Sequence, residues 1–145
     1  FSIDPTTLVK VCIDKSRKKI FAKEHFYKPK LTTSEIYSLS KNYVSNGLIY
    51  GDSAEPRLIE ELKSAGLNIK GTEKGAGSIT AGIAAIQDYE LIVDPESINL
   101  IKELNNYTWS DKKSGTPIDA YNHILDALRY ACYPTLKPQK EHFFF

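Results

Sequence analysis

An α/β domain, with a mixed sheet flanked by helices, is the fold class that three observations predict. Short β-rich runs alternate with segments of helical period along most of the chain. The first two runs are separated only by a polar turn and read as a hairpin. The chain has 145 residues, 41% hydrophobic and 26% charged, the size and composition of one domain with a full core.

The elements follow in order. Residues 7–14 read as a strand, 15–18 as a polar turn and 19–27 as a second strand. Thr32-Thr33-Ser34-Glu35 has capping-box character, and Ile36, Leu39, Tyr43 and Val44 give helical spacing. Asn46-Gly47 is expected to stop that helix. Residues 48–52 form a strand, with Ser53 and Pro56 as helix-start chemistry for a helix over 55–65 closed by Gly66. Leu67 to Lys70 is a short strand, 71–78 a glycine-rich loop, and 79–89 a helix weakened by Gly82. Residues 91–93 are a strand ended by Asp94-Pro95. A helix over 96–107 places Ile98, Ile101 and Leu104 on one side. Residues 110–118 read as a polar loop, and the last helix runs from about 119 to 133, closed by Pro134. One domain over 1–136 and a tail over 137–145 are expected, with no internal repeat.

Bulk properties exclude several classes. No apolar run approaches the roughly 20 residues that span a bilayer, so no membrane partner is expected. A net charge of +1 excludes a strongly basic nucleic-acid binder, although lysines cluster locally at Lys15, Lys18 and Lys19, and at Lys70 and Lys74. Cys12 and Cys132 match no zinc spacing and read as reduced core residues. The chain opens at Phe1 and contains no methionine, so a further segment upstream is expected.

Two acidic positions carry the chemistry. Asp52 follows the apolar strand Leu48-Ile49-Tyr50-Gly51, and an acid at a strand's carboxyl end faces a crevice from a rigid support. The plainer account makes Asp52 a helix cap. On the last helix, Asp119, His123, Asp126 and Tyr130 recur at helical spacing on a stripe opposite Ala120, Tyr121, Ile124, Leu125, Leu128, Ala131 and Cys132. That stripe is either a solvated face or a set of metal-ligand types. Carboxylates converging from a strand end and a helix suit Mg²⁺ or Mn²⁺, which prefer oxygen. Two such ions about 4 Å apart serve phosphodiester cleavage.

The residues also carry a family likeness. The ordered words are Asp4-Pro5, Tyr50-Gly51-Asp52-Ser53-Ala54-Glu55-Pro56, Lys74-Gly75-Ala76-Gly77-Ser78 leading into Gly82-Ile83, and Ile92-Val93-Asp94. Glu103-Leu104-Asn105-Asn106-Tyr107-Thr108-Trp109 and Pro117 to Tyr130 complete them. In that order they resemble the C-terminal nuclease domain of the large terminase subunit of tailed phages and prophages, a ribonuclease-H-like fold.

The resemblance implies a metal-dependent endonuclease that cuts concatemeric double-stranded DNA with two Mg²⁺ or Mn²⁺ ions. It maps the second and third catalytic aspartates onto Asp52 and Asp126, and a neighbouring ligand or proton carrier onto His123. It implies as partners double-stranded DNA, an N-terminal ATPase domain, the small terminase subunit and a portal protein, in the cytoplasm of an infected or lysogenic host. The family's first catalytic aspartate would precede Phe1, so the first strand is expected to be largely missing; Asp4 reads instead as a turn former.

The glycine-rich loop is not a Walker A motif, because no lysine directly precedes Ser78. Lys74, Gly75, Gly77 and Ser78 are expected to meet a DNA phosphate, with a plain connection as the alternative. Glu55 reads as a helix N-terminal charge. Tyr107 reads as core, and His25 and His142 receive no role. The competing functions are another ribonuclease-H-like nuclease, such as a resolvase, and a non-catalytic module docking DNA or a portal protein through basic loops and Phe143–Phe145.

Overall fold

The computed structural model describes residues 5–72, 78–106, 109–111, 116–117 and 123–136. Strands β1 (Thr6–Asp14) and β2 (Lys19–Lys28) form the expected antiparallel hairpin. Helix α1 (Thr33–Val44) leads to β3 (Ile49–Gly51), and α2 (Pro56–Ala65) to β4 (Ile69–Gly71). Then come α3 (Ser78–Gln87), β5 (Glu90–Val93), α4 (Ile98–Asn106), β6 (Trp109–Asp111), β7 (Thr116–Pro117) and α5 (His123–Leu136). Among the described residues, no helix is long and apolar enough to cross a membrane.

The mixed sheet is present: β2 pairs antiparallel with β1 and parallel with β5. β3 and β4 form a separate parallel pair, and β6 pairs with β7. A β-bulge divides the hairpin. Leu8 faces Phe26 and Val9 faces Glu24, which leaves His25 as the extra residue. The bulge lets one hairpin serve two cores. Ile20 and Ala22 pack with Leu100, Ile124, Leu128 and Cys132 under α4 and α5. Past the bulge, Phe26 joins Ile36, Ile59, Leu62 and Ile69 under α1 and α2. His25, on the same side as Phe26, stacks on Tyr43 with ring centroids 4.6 Å apart.

Local punctuation explains the boundaries. Thr32 and Glu35 make the full capping box on α1. Its end is set by Ser45 at φ 54° rather than by Gly47, with the Ser45 N–H donating to the Lys41 carbonyl. Pro56 opens α2 as expected, but Glu55 rather than Ser53 is the cap residue. Gly66, at φ 120°, closes α2 in a conformation that favours glycine.

Further expectations are corrected. Cys12 is exposed, because Val11 and Ile13 take the inward places on β1 and alternation turns Cys12 outward. Pro134 lies inside α5, which runs on to Leu136, and its missing N–H removes one helical hydrogen bond there. On α4, Leu100 and Glu103 are buried while Ile98 is 72% exposed. The polar loop over 110–118 contains strand residues of the β6–β7 pair.

Candidate metal centre

Asp52 sits at the carboxyl end of β3. Gly51 before it allows close packing: a Cβ there would lie 3.2 Å from Ile69 Cδ1 and 3.3 Å from Ile59 Cγ1. The Gly51 carbonyl accepts from the Thr72 N–H at 2.9 Å, extending the β3–β4 pairing to the last residue before the acid. Asp52 does not cap α2. Its Oδ1 accepts from the Ala54 N–H at 2.9 Å in an Asx turn, and its carbonyl accepts from the Glu55 N–H at 3.0 Å. Both bonds fix the aspartate in the turn that follows the strand.

Asp126 lies in the first turn of α5. The Arg129 Nη2 donates to its Oδ1 at 3.1 Å. Arg129 is only 7% exposed, and its guanidinium lies over the Tyr130 ring, 4.8 Å from the centroid. Helix α5 has its own anchor. Glu103 on α4, 3% exposed, accepts from the Ile124 N–H at 2.9 Å and the Leu125 N–H at 3.1 Å through Oε1. A carboxylate from a neighbouring helix thus caps α5 and favours its positive end. Helix α4 is held in the same manner by β2. Glu24 accepts from the Leu100 N–H at 2.9 Å and from Asn99 Nδ2 at 2.7 Å, and its own N–H donates to Ser97 Oγ at 3.0 Å.

The two acids open into one cleft of about 1100 Å³. One wall is Pro5 with Thr6 to Val11 of β1, another is β3 with its flanking Leu48 and Asp52, and α5 contributes Asp126, Ala127, Tyr130 and Ala131. Consecutive residues line it from both strands, so the walls are strand edges rather than faces. Of the stripe on α5, Asp126 and Tyr130 line the cleft.

His123 begins α5, but its side chain is outside the described residues. Ser78 opens α3 as expected, and its side chain is likewise outside them. Lys74, Gly75, Gly77, Asp4, Asp119, Tyr107, His142 and the tail also lie outside the described residues. Among the described residues, no group of three His, Cys, Asp or Glu side chains forms a ready cation cage. Glu55 lines the cleft too, and so does His25, whose pKa is lowered by burial and then by Lys23 and Lys10.

Sequence reasoning missed Glu103 and Arg129. Glu103 had one readable signal, since it shares the buried side of α4 with Leu100. Arg129 lies between the inward and cleft-facing arcs of α5, and nothing in helical period marks it.

The model for the terminase RNAseH-like domain matches residues 1–133. The chain is 32% identical over 137 residues to the terminase large subunit of Bacillus phage SPP1, covering 88% of this chain and 32% of that protein. It is 26% identical over 130 residues to the PBSX phage terminase large subunit of Bacillus subtilis, covering 86% and 30%. The chain thus spans about a third of the length of these relatives. The crystal structure of the SPP1 large terminase nuclease domain with bound Mn is similar, with a TM-score of 0.79 and 29% identity over 92% of this chain and 81% of that one.

Proposed function

The chain belongs to the terminase RNase H-like domain family, and on that premise we propose that Asp52 and Asp126 form the metal centre of an endonuclease that cuts double-stranded DNA for packaging. The observation that carries this reading is the shared cleft: acids from β3 and α5 line one opening. The donor set fits a hard divalent ion, because carboxylate oxygens on rigid elements suit Mg²⁺ or Mn²⁺ and a substrate phosphate completes the shell. The relative with bound Mn supports the same chemistry.

Asp52 would hold the metal from the β3 end, and Asp126 would hold it from α5. When bound, the ions supply activation of the attacking water and charge neutralisation at the leaving oxygen. His123 would act beside Asp126 as a ligand or proton carrier. An aspartate on an upstream strand would complete the set; such a strand would enter between the β1 and β3 edges. Lys74, Gly75, Gly77 and Ser78 would meet the DNA backbone. An ATPase domain, a small terminase subunit and a portal protein are the proposed partners of the longer protein, acting in the bacterial host cytoplasm.

The test is Mn²⁺ titration and plasmid cleavage with Asp52→Asn and Asp126→Asn. Each substitution should lower both readouts by at least about a hundredfold, the upper end of what losing even an outer-shell partner costs. DNA cutting and Mn²⁺ binding indifferent to both changes would overturn the nuclease reading and favour docking of DNA or a portal. The Lys74 proposal is read separately: Lys74→Ala should reduce the salt slope of DNA binding by about one.

A further inference from the structure

We infer that Arg129, seated by Gly82, is the positioning residue that fixes the Asp126 carboxylate for cation binding; this rests on the metal-centre reading above. Two independent observations converge on it. The first is the ion pair that a buried arginine makes with the half-exposed Asp126. Arg129 is almost wholly enclosed, and its Nη2 engages Asp126 Oδ1 at 3.1 Å across one helical turn. The Tyr130 ring covers the guanidinium. A buried cation requires a paired anion, and its bond to Oδ1 restricts the carboxylate's rotation. Outer partners of this kind orient the groups that ligate metals.

The second observation is the path that the arginine takes. Its stem runs across α3 at Gly82. A Cβ at Gly82 would lie 2.7 Å from Arg129 Cγ and 2.8 Å from Cδ, closer than real carbons approach. These are stem atoms near the backbone of α5, so they cannot swing aside without moving the guanidinium. Gly82 is thus where α3 yields room for the clamp on Asp126. A glycine in a helix interior is otherwise unfavourable.

The test is Mn²⁺ titration calorimetry on the unaltered chain and on Arg129→Met, Arg129→Lys and Gly82→Ala, with Asp52→Asn as the control for the centre itself. Met and Lys both keep a long unbranched stem, and only Lys keeps the cation. Arg129→Met and Gly82→Ala should weaken Mn²⁺ binding about tenfold. Arg129→Lys should stay closer to the unaltered chain than Arg129→Met does, which a purely space-filling role would not produce. Arginine also repels a divalent ion, so a net electrostatic role would tighten binding in Arg129→Met. Unchanged or tighter binding there, with Asp52→Asn still abolishing it, overturns the inference alone. Binding indifferent to Asp52→Asn, or none by the unaltered chain, overturns the metal-centre reading and this inference with it. If Arg129→Met does not fold, Gly82→Ala decides by the same criterion, with far-ultraviolet circular dichroism confirming its fold.

Discussion

Two cysteines of one chain have opposite chemistry because of one strand's alternation and one helix's burial. Cys132 is fully buried, and burial pushes its thiol up to about 12. Cys12 is exposed on β1. At pH 8 a thiol reagent should therefore modify Cys12 rapidly and Cys132 only on unfolding, which mass spectrometry of peptides will show. Glu35 illustrates a surface counterpart. Its carboxylate accepts from the Thr32 N–H, which holds its pKa below the ordinary glutamate value. The stability it gives α1 is present above the ordinary glutamate range and is lost as pH falls through the lowered pKa. The stability gap between the unaltered chain and Glu35→Gln should close in that acidic window. The capping box was legible because its residues lie three apart. The exposure of Cys12 follows from the alternation of Val9, Val11 and Ile13 with Lys10 and Cys12, whereas composition reports only that a cysteine is apolar.

At the scale of elements, carboxylates hand position from sheet to site. Glu24 on β2 fixes the start of α4, and Glu103 on α4 fixes the start of α5. Helix α5 then carries Asp126 into the cleft. Charge-assisted hydrogen bonds are worth roughly 1.5–3 kcal/mol each. Glu103→Ala should therefore destabilise the protein by about 3 kcal/mol, leaving the buried Ile124 N–H and the part-buried Leu125 N–H without their acceptor. Glu103→Gln keeps an oxygen there and should recover a substantial part, as urea denaturation will measure. Helices and strands were legible from period and punctuation, and Asp52 and Asp126 from their places on those elements. The Glu103 bond was hidden for a physical reason: it joins residues 21 apart, with the β6–β7 pair between them in the chain, and helical period reports nothing across such a gap.

At the scale of the whole molecule, β1 and β3 turn their edges toward one cleft, and among the described residues each has a single sheet neighbour. Such edges accept extended chains. The isolated protein should associate with itself as concentration rises, and sedimentation should show less of this in Leu48→Lys, which charges an exposed residue on the cleft wall. The alternation of strands and helices predicted the layers, but the division of the sheet depends on pairing partners, which no local pattern specifies. The bulge at His25 has a consequence of its own. A strand has a reading frame of two, and a single deletion is a frameshift that exchanges inside for outside. Removing His25 would instead restore an unbroken ladder while Phe26 and Glu24 kept their present sides. Within the middle of β2, His25 is thus the residue whose loss leaves both cores in register.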